Sequence, residues 1–134
     1  MTFISPHLNQ RKFNMRARIL IIDDDKDTAA VLKEYFIENG IPADTAFDGR
    51  SAVKKFDRTR HHLLIVDVNL PDIDGLVLAR NLKQKAGGVK ILFLTGSVVR
   101  RSMLPSGRDY GFMEKPVPPG VLLNEVKAML GVCE

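Results

Sequence analysis

The apolar residues of this chain fall in short runs separated by amphipathic stretches, and the alternation begins at Arg18. Ile19, Leu20, Ile21 and Ile22 form a β-branched run too short for a helix and suited to a strand buried on both faces. The run stops at Asp23, Asp24 and Asp25. Ala29, Leu32, Tyr35 and Phe36 then recur at three- and four-residue steps, which predicts a helix with Gly40 just past its end. Ile41 to Phe47 predicts a weaker strand, Asp48-Gly49 a turn, and Ser51 to Phe56 a short helix with Ala52, Val53 and Phe56 inward. Leu63 to Val66 is the second strong strand pattern and ends at Asp67. Pro71 and Gly75 mark a loop, Leu76 to Lys83 a helix, and Gly87-Gly88 its end. Ile91 to Leu94 closes on Thr95-Gly96. Tyr110 to Met113 predicts a last strand before Lys115-Pro116, and Pro119 opens a helix through Val121, Leu122, Val126 and Met129. Between Gly96 and Tyr110, Val98, Val99, Met103 and Leu104 allow a turn or two of helix that Pro105 and Gly107 stop. Short apolar strands alternating with crossover helices predict a parallel sheet covered on both faces.

Composition bounds the picture without changing it. A chain of 134 residues, 45% apolar and 27% charged, is that of one ordinary globular domain. The net charge is +4, and Arg11, Lys12, Arg16 and Arg18, with no acid before Asp23, account for all of it. Residues 1–17 therefore read as a flexible basic arm that holds three of those charges, and residues 18–134 as a folded domain close to charge balance. The single cysteine, Cys133, cannot form an internal disulfide, which fits a reducing compartment. No apolar run approaches the roughly 20 residues that span a bilayer, and the basic arm has no apolar segment of the secretory kind after it. The expectation is a cytoplasmic protein without membrane insertion.

In an open α/β sheet, ligands bind beyond the carboxyl ends of the strands. The residues just after the apolar runs are Asp23 and Asp24, Asp67, Thr95, and Lys115. Three carboxylates, a hydroxyl and an ammonium thus converge on one rim. Crowded carboxylates raise one another's pKa unless a cation relieves them. Mg²⁺, which takes one or two carboxylates plus water and phosphate oxygens, suits the set. Asp67 can then act as a nucleophile toward a phosphoryl donor, with Lys115 and Thr95 stabilising charge on the phosphoryl oxygens. Gly96 leaves the approach open.

The segments Ile19-Leu20-Ile21-Ile22-Asp23-Asp24-Asp25, Leu64-Ile65-Val66-Asp67-Val68-Asn69-Leu70-Pro71-Asp72-Ile73-Asp74-Gly75, Leu94-Thr95-Gly96 and Lys115-Pro116 resemble, in order, the receiver domain of two-component response regulators. The resemblance runs from about Arg18 to Leu130. It implies a flavodoxin-like (βα)5 doubly wound parallel five-stranded sheet of order 2-1-3-4-5. It implies phosphorylation of Asp67 by a histidine kinase or phosphotransfer protein. Asp24, Asp67 and the Asn69 carbonyl would ligate Mg²⁺, with Asp23 acting through water. Thr95 and Phe112 would form the switch, Lys115 would pair with the phosphate, and the Lys115–Pro116 bond would be cis. The interval from Thr95 to Lys115 is short for this family, so the fourth helix is expected to be short or irregular. Phe93-Leu94-Thr95-Gly96 with Leu104-Pro105 is also similar to a stand-alone subgroup with a reduced fourth helix. That helix belongs to the family's usual output and dimer face, so a homodimer is an expected partner of unsettled geometry. Output passes to a downstream protein, and the module is either stand-alone or excised from a larger regulator.

Simpler readings stand beside these. The acidic run could be a loop and helix cap, and Asp25 or Asp27 is expected to be that cap. Phe112 alone would be a packing aromatic. His61 and His62 lack partners at metal-ligand spacing and read as a solvated loop. Arg100, Arg101 and Arg108 read as loop solvation, and the arm's charges without aromatics make direct nucleic-acid binding a thin case. The competing function is a small Mg²⁺-dependent phosphohydrolase working through an aspartyl phosphate. That chemistry wants an acid two residues after the nucleophile, where this chain has Asn69.

Overall fold

The computed structural model describes residues 18–96 and 103–131. Five strands, β1 (Arg18–Ile22), β2 (Ala43–Ala46), β3 (His61–Asp67), β4 (Lys90–Thr95) and β5 (Tyr110–Glu114), form one parallel sheet of order β2-β1-β3-β4-β5. The helices among the described residues are α1 (Lys26–Glu38), α2 (Gly49–Lys55), α3 (Gly75–Lys85) and α4 (Pro119–Leu130). This is the parallel sheet covered on both faces that the alternation predicts, in the flavodoxin-like order that the resemblance implies.

Period-two alternation divides the core. Ile19, Ile21, Leu63, Ile65, Leu92 and Leu94 face one side, where Leu32 and Phe36 of α1 and Leu122, Val126 and Met129 of α4 cover them. Leu20, Ile22, Leu64, Val66, Ile91 and Phe93 face the other side, against Ala52 of α2 and Leu78, Ala79 and Leu82 of α3. Burying each branched side chain contributes about 1.5–3 kcal/mol, and the central strands are buried on both faces.

The helix ends follow from local chemistry. The Asp25 carboxylate accepts the Thr28 N–H and caps α1, and Gly40 takes a left-handed φ of 86° just beyond it. Asp48 and Ser51 form a reciprocal capping box at α2. Asp74 caps α3, and Pro119 is the first residue of α4.

Three expectations need correction. β3 begins at His61, which is not in a solvated loop: it is 3% exposed and stacked on Phe56. Its Nδ1 accepts the Asp57 N–H, which leaves Nε2 to donate to the Asp44 carboxylate 2.8 Å away. Val53 is 43% exposed rather than inward, because the two-turn helix turns Ala52 to the sheet and packs its first residue, Gly49, against Ile73 and Asp72. The β2 strand is shorter than predicted, ending at Ala46. Met103 to Asp109 contain no α-helix, in keeping with a short fourth crossover. The predictions for the arm, Val98, Val99, Arg100, Arg101 and Cys133 lie outside the described residues.

Candidate functional site

Strand register assembles the site. Ile22 pairs with Val66, so Asp23 and Asp67, the next residue on each strand, come side by side at the carboxyl ends. Leu94 pairs with Asp67, and Thr95 with Glu114. The Lys115 N–H donates to the Thr95 carbonyl at 2.8 Å, which brings the lysine to the same rim. The Lys115–Pro116 bond is cis.

The Asp67 carboxylate is divided between two partners. Oδ1 accepts the Asn69 N–H at 3.0 Å, and Oδ2 accepts from Lys115 Nζ at 3.0 Å. Asp23 is 2% exposed. Its Oδ1 accepts the Asp25 N–H at 2.9 Å, while Oδ2 is buried without a hydrogen-bond partner, 3.5 Å from Lys115 Nζ. Asp24 completes the cluster from the solvent side, and one oxygen from each of Asp23, Asp24 and Asp67 lies within 4.8 Å of the others.

The electrostatics match the crowding. Burial pushes the Asp23 carboxyl above its ordinary range, and the charges of Asp67 and Asp24 add to the rise, against the Asp25 N–H and Lys115. Burial pulls the Lys115 ammonium down, but its hydrogen bond to Asp67 and the charges of Asp67 and Asp23 outweigh this and raise it. Lys115 therefore stays charged among three carboxylates that exceed it. The donor set fits a hard divalent cation: all oxygen, carboxylate-rich, and with one buried oxygen left without a hydrogen bond.

The remaining predicted residues stand around this centre. Thr95 is fully buried at the end of β4, and Gly96 beside it is exposed, with open space where a side chain would be. Asn69 follows Asp67 and bridges to Asp74 across the loop. Phe112 pairs in register with Phe93, on the α2–α3 side of the sheet, and is 41% exposed. Pro116 lines a neighbouring cavity of about 680 Å³ with Asp23, Thr28, Val31, Lys115 and Val117.

Two positions that matter were not singled out from sequence. Gly75 was visible only as a loop marker, yet a Cβ there would run into the Asp67 carbonyl oxygen and lie 2.7 Å from the Val68 Cα. Its N–H donates to the Val68 carbonyl at 2.8 Å, so α3 starts against the end of β3 itself. Asp72 accepts the Gly49 and Arg50 N–H groups at 2.8 and 3.0 Å, tying the loop after Asp67 to α2. Pro71 and Gly75 mark that loop in the sequence but not its partner.

Residues 19–127 match the family model of the response regulator receiver domain, and the chain belongs to that family. It is 33% identical over 116 residues to the transcriptional regulatory protein TrcR of Mycobacterium tuberculosis, covering 84% of this chain and 45% of that one. It is 32% identical over 119 residues to the alkaline phosphatase synthesis transcriptional regulatory protein PhoP of Bacillus subtilis, covering 87% and 49%. The chain thus spans about half the length of these curated relatives. Among solved structures, a CheY-like receiver domain protein from Methanospirillum hungatei superposes with a TM-score of 0.78 at 26% identity, covering 86% of this chain and 94% of that one. A two-component response regulator from Clostridium difficile gives 0.75 at 30% identity, covering 86% and 96%.

Proposed function

We propose that the chain is a phosphoacceptor module in which Asp67 takes a phosphoryl group from the phosphohistidine of a histidine kinase or phosphotransfer protein. One observation carries the reading: the Asp67 carboxylate, held by the Asn69 N–H, sits 3.0 Å from the Lys115 ammonium beside two further carboxylates. A carboxylate oxygen of Asp67 attacks phosphorus, the N–P bond of the donor breaks, and the imidazole leaves and takes a proton. Lys115 already carries the charge that the new phosphoryl oxygens need. Asp23, Asp24, Asp67 and the Asn69 carbonyl would hold Mg²⁺, which supplies charge neutralisation when bound. Thr95 then turns its hydroxyl toward the phosphoryl group and Phe112 follows, so the output is a shift between two arrangements of one fold.

The module catalyses only its own phosphorylation and dephosphorylation, works in the cytoplasm, and passes its signal to a downstream protein. A phosphohydrolase would need a proton donor two residues beyond Asp67, and Asn69 offers only an amide there. Among the described residues no helix is long and apolar enough to cross a membrane.

Incubation with acetyl phosphate and Mg²⁺ tests the reading by intact mass. One added phosphoryl group is expected, absent in Asp67→Asn and absent with EDTA. The same label on Asp67→Asn contradicts it, as does multiple turnover on a phosphate ester.

A further inference from the structure

The two faces of the sheet carry different charge. α2 and α3 hold Arg50, Lys54, Lys55, Arg80, Lys83 and Lys85 and no acid. α1 and α4 hold Lys26, Lys33 and Lys127 against Asp27, Glu34, Glu38 and Glu125. The near balance of the folded part thus conceals a basic pair of helices, with Asp48, Asp72 and Asp74 of that side confined to the loops at their starts. Lys55 and Lys83 are engaged there with backbone carbonyls, and Lys83 also with Asp109. Arg50 and Lys54 enter no ion pair among the described residues.

Between α2 and α3 lies an open groove of about 400 Å³. Val53 and Ile73 supply its apolar surface, and Arg50 and Lys54 stand on its α2 rim. Val53 is a branched apolar side chain, 43% exposed, on a helix whose buried residues are Gly49 and Ala52. The wall opposite is fixed: a Cβ on Gly49 would run into the Ile73 side chain, and Asp72 holds the first amides of α2. The groove is therefore a preformed apolar slot with a cationic rim, beyond the phosphoacceptor site and on the opposite face from the α1–α4 cavity.

We propose that this groove docks an acidic protein segment carrying an aliphatic side chain, which seats against Val53 and Ile73 while its carboxylates meet Arg50 and Lys54. Charge complementarity selects the occupant, and the apolar contact fixes its register. A nucleic acid fits less well. No aromatic side chain lines the groove to stack a base, and the one carboxylate on its rim, Asp72, is already held by the Gly49 and Arg50 N–H groups.

Titration of the ¹⁵N-labelled full chain with a short synthetic Glu-rich peptide bearing a central Leu tests this. Amide shifts at Arg50 to Lys54, Ile73 and Leu78 to Asn81 are expected. The Arg50→Glu, Lys54→Glu double variant, both positions exposed and its fold checked by thermal melting, weakens binding at least about tenfold and gains affinity for the matching Lys-rich peptide. Replacing the Leu with Ser also weakens binding. Shifts confined to the α1–α4 face overturn the proposal. So does equal binding by the double variant, by the Ser peptide, or by a single-stranded DNA oligonucleotide. Self-association that the double variant abolishes would give the groove to a second copy of this chain and overturn the assignment to another protein.

Discussion

Gly75 sets how tightly the loop after Asp67 closes on β3. Since a methyl group there collides with the backbone at Asp67 and Val68, Gly75→Ala forces the start of α3 away from β3. A loss of about 1–3 kcal/mol is expected from urea unfolding, with slower phosphoryl transfer from acetyl phosphate. Unchanged stability and rate would show that the loop yields without cost. His61 is the contrasting case, at the amino-terminal end of β3. Its removal in His61→Ala leaves the buried side of Asp44 with Arg18 alone and the Asp57 N–H without its acceptor. About 1–3 kcal/mol of stability is expected to go, with the rate of phosphoryl acceptance preserved. Asp23, Asp67 and Thr95 are legible in the sequence because each ends an apolar run, and Lys115 because it follows the last such segment by one residue; parallel register puts these ends on one rim. It missed the role of His61 because the partners, Asp44 and a backbone amide at Asp57, lie outside any local pattern. The exposure of Val53 is not legible because a helix of two turns does not fix which of two adjacent apolar residues faces inward.

At the scale of elements, the β4–β5 crossover is held from outside by α3. Lys83 Nζ donates to the Gly87 and Val89 carbonyls at 2.7 and 2.6 Å and to Asp109 at 2.7 Å, and it lies over the Tyr110 ring. One ammonium thus joins the end of α3, the turn into β4 and the entry to β5. Lys83→Met keeps the stem and removes all three bonds. A loss of about 1–3 kcal/mol is expected, with faster hydrogen exchange at Asp109 to Gly111. Exchange that stays unchanged there would assign the crossover's order to packing instead. The central strands β1, β3 and β4 were legible because each holds four consecutive apolar residues ended by a polar one, whereas β2 and β5 lack such a run. The crossover was less legible because Pro105 and Gly107 break a helical pattern without specifying what replaces it.

At the scale of the whole molecule, acid stability reflects the native environments of the carboxylates. The Ser51 N–H holds Asp48 below its ordinary range, the Thr59 hydroxyl and N–H hold Asp57 down, and the hydrogen bond from Lys83 holds Asp109 down. A folded pKa below the unfolded value of about 3.9 contributes stability that is present above it and lost as pH falls through the folded value. Asp23, raised by burial, acts in the opposite sense and favours the folded state as it takes up its proton. The urea midpoint of the metal-free protein is therefore expected to hold or rise slightly on mild acidification and to fall below about pH 4. A steady fall beginning at pH 6 would contradict these assignments. Charge was also the property that composition described least well, since the balanced total gave no sign of a basic face on α2 and α3. The central claim is that one carboxylate among the clustered acids is the acceptor. Borohydride reduction after incubation with acetyl phosphate and Mg²⁺ tests it directly, because an aspartyl phosphate is reduced to homoserine. Peptide mass spectrometry is expected to find homoserine at position 67 alone, and homoserine at position 23 or 24 instead would contradict the account.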